Sequence, residues 1–196
     1  KLAMLEDDSI EKSPAILALQ ETKFTVESLP PYLEIEGYHH YVTERTENDK
    51  KGGGLIMYYK SDIPIRTWKR PGKNVTSPTA NETQWVMLET KTSKMAIANV
   101  YLACQSSKNR NYLDWNMEIY NDLKADVEVL RDLNFAIFLV GDFNGWTGVQ
   151  KGMEDNNPVV NENGKLLLDF INEEEMYMLN RLNTTDQVFT RVHYSN

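Results

Sequence analysis

The stretch FLVGDFNGWTG (residues 138–148) changes character within four residues. An apolar run typical of a buried strand ends in glycine, a carboxylate and an amide, with Asp142 and Asn144 two positions apart. Because strand side chains alternate with a period of two, both polar groups are expected on one face. The ending is therefore either a strand-to-turn exit, with an Asx-type turn, or a strand that presents two polar groups to a ligand.

The composition of the chain is that of a globular protein. It has 196 residues, of which 41% are hydrophobic and 26% charged, which fits one domain over residues 1–196 with a sizeable core. No apolar run approaches the roughly 20 residues of a membrane span, and the acidic N-terminus is unlike a signal peptide. Cys104 is the only cysteine, so no internal disulfide can form. We expect an intracellular protein with no membrane partner.

The net charge of −8 and the pI of about 5.0 argue against a protein that coats nucleic acid nonspecifically. A nucleic-acid substrate stays possible, because clustered carboxylates can hold a divalent cation that then meets phosphate. Short basic stretches are interpreted as solvated loops rather than phosphate clamps. They are Lys50–Lys51, Lys69–Arg70 with Lys73, and Lys108 with Arg110.

The hydrophobic pattern predicts many strands and two helices that separate strands, which indicates an α/β protein with a mixed sheet system. Pro64 marks an edge strand, because proline lacks a donor. The run at 135–142 is expected to be buried on both faces. We predict strands at 15–21, 38–43, 52–59, 63–70, 84–90, 94–103, 135–142, 177–180 and 187–191, and helices at about 111–131 and 165–175.

Polar side chains follow three of these apolar runs. Glu21 and Asp142 could supply hard oxygen ligands for Mg²⁺, and Asn144 could place a water or a phosphate oxygen. The phenol of Tyr101 could donate to the same phosphate. Each has an ordinary alternative: a solvated strand end for Glu21, a turn for Asp142 and Asn144, and a half-buried strand residue for Tyr101.

The ordered set of motifs resembles the endonuclease/exonuclease/phosphatase family, which includes AP endonucleases and DNase-I-like nucleases. The strongest similarity is to the endonuclease domains of LINE-type (non-LTR) retrotransposons. It extends from about residue 14 to residue 196 and implies a four-layered α/β sandwich of two mixed β-sheets flanked by helices. The motifs are LALQETK (17–23), GGGLIMYY (52–59), ETQWVMLE (82–89), NVYLA (99–103), LVGDFNGWTG (139–148) and NGKLLLDF (163–170), followed by MLN (178–180) and QVFTR (187–191).

This resemblance implies roles for five residues and a Mg²⁺ or Mn²⁺ cofactor. Glu21 matches the family's metal-binding glutamate, and Tyr101 matches the tyrosine that contacts the scissile phosphate. Asp142 matches the aspartate assigned to water activation or leaving-group chemistry, and Asn144 an asparagine that contacts phosphate. Thr190 lies where retrotransposon endonucleases have a threonine near the DNA.

The chain also departs from the family pattern. A first strand ending in asparagine is not found before residue 15, and no later aspartate strand or Ser-Asp-His follows, so both ends of the domain are expected to be missing. Cys104 stands where AP endonucleases have a further asparagine, and is interpreted as a small packing residue. The three histidines, His39, His40 and His193, are interpreted as surface residues.

The sequence therefore predicts metal-dependent phosphodiester hydrolysis, most specifically DNA nicking by a retroelement endonuclease domain, which would be nuclear. RNA exonuclease or phosphomonoesterase activity is an alternative. A catalytically inactive remnant that serves as an interaction module is another, and this chain alone is expected to be inactive. The sequence does not predict an oligomeric state.

Overall fold

The structure, a computed structural model, describes residues 14–24, 33–44, 54–73, 77, 79–105, 111–148 and 159–179. Contacts divide the chain into two compact units, residues 1–144 and 145–196. No helix in the described ranges is long and apolar enough to cross a membrane.

The first unit contains two β-sheets. The first sheet has the strand order β1–β3–β2 and is antiparallel, whereas the second has the order β4–β5–β6–β7 and is mixed, because β6 and β7 are parallel. Helix α1 (Tyr112–Asp132) makes the crossover connection from β6 to β7. The predicted α/β class is confirmed, and β4 is an edge strand of the described sheet. The strands are β1 (Ile16–Leu19), β2 (Tyr38–Thr43), β3 (Leu55–Lys60), β4 (Ile65–Trp68), β5 (Thr83–Glu89), β6 (Lys94–Tyr101) and β7 (Ala136–Asp142).

Two buried amides join the sheets. Gln84 on β5 and Asn99 on β6 are 1% and 0% exposed, and their side chains reach across to backbone carbonyls of the first sheet. Buried polar groups are stable when hydrogen-bonded, so these amides fix how the two sheets face each other. The acceptor carbonyls are those of Tyr41 and Leu55 for Gln84, and of Leu19 and Ile56 for Asn99, at 3.0–3.3 Å.

Helix α1 is held to the second sheet by an apolar stripe and by an ion cluster. The apolar spacing of the helix predicts a stripe of Trp115, Ile119, Leu123, Val127 and Leu130; the last four are buried, whereas Trp115 is 36% exposed. The cluster surrounds Asp126, which is fully buried.

Three side chains compensate the buried charge of Asp126. Arg70 Nε donates to it at 2.7 Å and Trp85 Nε1 at 2.9 Å, while Lys73 Nζ lies 3.6 Å away. Arg70 also pairs with Asp122 at 3.0 Å. The interpretation of Arg70 and Lys73 as solvated loop residues is therefore wrong: a buried carboxylate needs paired cations, and these two residues supply them. Residues 50, 51, 108 and 110 lie outside the described residues.

Strand β7 is not buried on both faces, contrary to the sequence prediction. Phe138 and Val140 remain 38% and 40% exposed. Phe138 pairs with Ile97 and Val140 pairs with Asn99 across β6 and β7. Both therefore lie on the same face of the sheet as Asn99. The reason is position: β7 is the outermost described strand of its sheet, and a continuous apolar run cannot distinguish an outer strand from a central one.

The second unit contains helix α2 (Glu162–Glu173), which begins three residues earlier than predicted. The Asn161 side chain accepts from Gly164 N and Trp146 N at 2.7 and 2.8 Å, and so caps the helix. Residues 177–179 do not form the predicted strand; they end in a helical turn. The predicted strand at 187–191 lies outside the described residues.

Gly141 is required by the close approach of β6 and β7. Its φ is +143°, and a Cβ at this position would lie 1.9 Å from the carbonyl oxygen of Val100. The glycine in the VGD sequence is thus explained by backbone packing rather than by a turn.

We predict that Gly141→Ala lowers the free energy of unfolding by about 3 kcal/mol or more, since it combines a strained φ with a backbone clash. Gly72→Ala is the matched control, because Gly72 also has a positive φ (+76°) but no atom within 4 Å of an added Cβ. The control should lose about 1 kcal/mol. Equal losses in denaturant titrations would contradict the proposed clash.

Asn99→Leu should destabilise the first unit by about 2–4 kcal/mol, because it leaves several buried acceptors without a donor. Asn121→Leu is the control, since Asn121 is exposed on α1. Thermal unfolding of both variants tests the prediction; similar melting temperatures would show that the amide does not hold the sheets together.

Candidate active site

Glu21 and Tyr101 form a direct hydrogen bond at one end of the two sheets. The phenol of Tyr101, the last residue of β6, donates to Glu21 Oε1 at 2.6 Å. The preceding residue, Gln20, donates its amide to Asn99 Oδ1 at 2.5 Å, and Thr22 N donates to the Gly54 carbonyl at 3.1 Å. Glu21 is therefore held on both sides by contacts of its neighbours.

The backbone of Glu21 adopts a left-handed conformation, with φ of +52°. This conformation is uncommon for residues other than glycine and costs free energy. The exposed Lys23, two residues further on, has the same conformation, with φ of +61°. The segment after β1 therefore turns at two positions, and the role of Glu21 stays a prediction.

Tyr101 is a buried tyrosine whose hydroxyl faces a carboxylate. Burial raises the pKa of the phenol well above its ordinary value, and the hydrogen bond to Glu21 and the charge of Glu21 raise it further. The negative charge of Glu82, on the segment before β5, acts in the same direction. Tyr101 is consequently a protonated donor throughout the physiological pH range.

Asp142 and Asn144 lie beside this pair. Asp142 is the register neighbour of Tyr101 in the parallel pairing of β6 and β7, so their backbones are about 4.8 Å apart. Asp142 Oδ1 accepts from Asn144 N at 3.0 Å, which is an Asx turn. Asn144 has φ of +44° and donates its amide to the Leu102 carbonyl at 2.7 Å. The GDFN stretch is therefore an Asx turn at the end of β7, and the presentation of its polar groups to a ligand stays a prediction.

A buried asparagine of α1 fixes the segment that follows Tyr101. Asn116 is fully buried, and its side chain both accepts from Ala103 N and donates to Ala103 O, each at 2.9 Å. The helix thus holds the backbone between Tyr101 and the exposed Cys104. The prediction that Cys104 is a packing residue is wrong, because Cys104 is exposed.

The structure brings four of the five predicted site residues together: Glu21, Tyr101, Asp142 and Asn144. Thr190 and His193 lie outside the described residues. His39 and His40 are exposed on β2, as predicted, and their rings lie about 6 Å from those of Tyr59 and Tyr58 in tilted arrangements.

The oxygen ligands available at this site fit a hydrated Mg²⁺ or Mn²⁺ that is bound by few protein side chains. Among the described residues, no three His, Cys, Asp or Glu side chains gather closely enough to hold a metal by themselves. Glu21 is exposed and offers one hard carboxylate. Mg²⁺ is commonly held by one or two carboxylates, with water and substrate phosphate completing its shell, so Glu21 is the residue that would hold it.

The sequence prediction missed the amides that position the site. Gln20, Gln84, Asn99 and Asn116 connect Glu21, Tyr101 and the following segment to the core. The available signal was an amide inside an apolar strand, as in LALQ, TQWVML and IANVY. Such amides must find partners when buried, and these partners come from the opposite sheet or the helix.

The chain falls in a class of α/β proteins that includes nucleases and phosphatases. A family model, the Endonuclease/Exonuclease/phosphatase family, matches residues 5–170. The chain belongs to this family, whose nucleases are generally dependent on divalent metals. A search of curated proteins found no match.

Solved structures share the fold at low sequence identity. The AP endonuclease LMAP from Leishmania major has a TM-score of 0.66 at 15% identity, and the match covers 89% of this chain and 61% of the LMAP chain. The Xenopus laevis APE2 catalytic domain has a TM-score of 0.59 at 16% identity, covering 85% and 62%. The endonuclease domain of TRAS1, a telomere-specific non-LTR retrotransposon, has a TM-score of 0.52 at 16% identity, covering 90% and 66%. The chain thus spans less than two thirds of each of these structures.

The raised pKa of Tyr101 predicts a loss of stability at alkaline pH. The folded state keeps the phenol proton when the unfolded state, with a pKa near 10, releases it. The contribution of Tyr101 is therefore complete below about pH 10 and falls above it, by up to about 1.4 kcal/mol per pH unit. Denaturant titrations at pH 9, 10 and 11 should show a smaller loss for Tyr101→Phe than for the wild type. Parallel losses would contradict the assignment.

Proposed function

We propose that this chain carries the site of a divalent-metal-dependent phosphodiesterase that nicks DNA, as a retroelement endonuclease domain would. The observation that carries the proposal is the convergence of Glu21, Tyr101, Asp142 and Asn144 at the carboxyl ends of β6 and β7 and the end of β1. Ligand sites of layered α/β folds form at such strand ends.

Each residue has a role that its geometry permits. Glu21 holds the cation, which when bound supplies positive charge that stabilises the transition state. Tyr101 is a protonated donor within reach of the carboxylate, and so of a phosphate oxygen beside it. Asp142, exposed next to Tyr101, would orient the attacking water or assist the leaving group. Asn144 would contact phosphate.

DNA is favoured as the substrate by the likeness to the AP endonucleases and to TRAS1, which share the fold. RNA, and phosphomonoesters, are the alternatives within the family, because a fold does not decide a substrate. A nuclear location would follow if the parent protein is a retroelement.

One observation favours the second candidate, an inactive remnant that acts as an interaction module. The Asp142 carboxylate and the Asn144 amide already make hydrogen bonds within the chain, to Asn144 N and Leu102 O. A purely structural turn would show the same two bonds. Activity measurements on variants of these residues separate the candidates.

Asp142→Ala should lower the rate of plasmid nicking with Mg²⁺ or Mn²⁺ by about 10²–10⁴-fold, the range typical of acid–base groups. Asn144→Ala should cost the same or less. The experiment uses the protein at the full length its gene encodes, and Asp62→Ala is the control, because Asp62 is exposed in the turn after β3. Circular dichroism and melting temperature show whether each variant is folded.

Three outcomes decide the proposal. A folded Asp142→Ala protein that has lost nicking, beside an active Asp62→Ala protein, supports it. If the wild type leaves DNA intact but hydrolyses RNA or a phosphomonoester, the site is retained and its substrate is that compound instead of DNA. A folded Asp142→Ala protein with the wild-type rate on every substrate shows that the stretch is only a turn.

A further inference from the structure

The hydrogen bond between Tyr101 and Glu21 uses a proton that a phosphate would also need. The phenol has one hydroxyl proton, and in the structure it is donated to Glu21 Oε1 at 2.6 Å. Tyr101 is 7% exposed, so packing confines its ring, and the hydroxyl can donate only to acceptors that lie close to its present position. Glu21 is one such acceptor, and a phosphate bound at this rim would be a second.

We propose that the Tyr101 hydroxyl is shared between Glu21 and the substrate phosphate, and that this exchange makes the divalent cation and the phosphate strengthen each other's binding. The inference rests on the proposed function for the identity of the two ligands. The exchange itself rests on the observed bond and on the single proton.

The carboxylate is the first partner in the exchange. A cation held by Glu21 would make the carboxylate oxygens weaker acceptors, so the phenol would donate its hydrogen bond to the phosphate instead. A phosphate that accepts this hydrogen bond would leave both oxygens of Glu21 to the cation, and the proton stays on the phenol throughout. By thermodynamic linkage the two effects are equal in magnitude.

Contacts of the neighbouring residues hold Tyr101 and Glu21 in place while the Tyr101 hydrogen bond changes its acceptor. Gln20 is bonded to Asn99, and Asn99 to the Leu19 carbonyl, so the backbone on the β1 side is fixed. Tyr101 N donates to Glu82 O at 3.0 Å, which fixes the β6 side. Only the hydroxyl proton has to change its acceptor, and no strand has to move.

Removing the hydroxyl therefore has opposite effects on the two ligands. In Tyr101→Phe, Glu21 keeps all of its charge for the cation, which should bind more tightly. The phosphate loses a donor and should bind less tightly. A residue that merely holds Glu21 in position would weaken cation binding when removed, so the sign of the change separates the two roles.

The test measures binding, not catalysis. Mn²⁺ affinity is measured by calorimetry, and the affinity for a fluorescent phosphorothioate DNA duplex by anisotropy, each with and without the other ligand. Wild type, Tyr101→Phe, Glu21→Gln and the control Tyr120→Phe are compared; Tyr120 is a buried tyrosine of α1. Mn²⁺ bound by the duplex itself is the same for all four proteins.

We expect Tyr101→Phe to bind Mn²⁺ alone more tightly and the duplex more weakly, each by a factor on the order of ten, since hydrogen bonds to charged groups have about that value. The enhancement that each ligand gives the other should fall by a similar factor, and Tyr120→Phe should match the wild type. If Tyr101→Phe weakens Mn²⁺ binding or keeps the wild-type enhancement, the exchange is wrong while the metal site stands. If Glu21→Gln binds Mn²⁺ like the wild type, the metal site is wrong, and the exchange fails with it.

Discussion

The hydrogen bonds that Asn99 and Gln84 make across the sandwich are the constraint on which the rest of the first unit depends. Asn99 reaches carbonyls of both β1 and β3, and it also accepts from Gln20. Apolar packing alone permits two sheets to slide, because it has no direction. Hydrogen bonds of buried amides have direction, so the end of β1 must meet the end of β6 at one register, and Glu21 must meet Tyr101.

The second support of the site comes from outside the sandwich. Helix α1 crosses from β6 to β7 and carries Asn116, which holds the backbone beyond Tyr101, and Asp126, which binds Arg70 and Trp85. The parallel pairing of β6 with β7 is what places Asp142 beside Tyr101. The same helix therefore connects the two strands in the chain and fixes their ends in space.

Sequence patterns predicted the elements better than their surroundings. The spacing of apolar residues in α1 and the polar endings of β1, β6 and β7 are local signals. The structure has the helix at the predicted place and the four polar residues at neighbouring strand ends. The exposure of Phe138 and Val140 depends on how many strands lie beyond β7, and the ion pairs of Arg70 and Lys73 depend on a helix some fifty residues away. Neither the exposure nor the ion pairs can be predicted from the neighbouring residues in the sequence. The sharing of the Tyr101 proton likewise needs a distance between two residues that the sequence separates widely.

That separation has a consequence for folding. Glu21 and Tyr101 lie 80 positions apart, and Gln20 and Asn99 lie 79 apart. Closing such long loops has an entropic cost that only the assembled sandwich offsets, and contacts of this kind form slowly. No fragment of the first unit that lacks either sheet can contain the pair. A ligand that binds the pair consequently binds only the folded state, and by mass action it stabilises the whole unit.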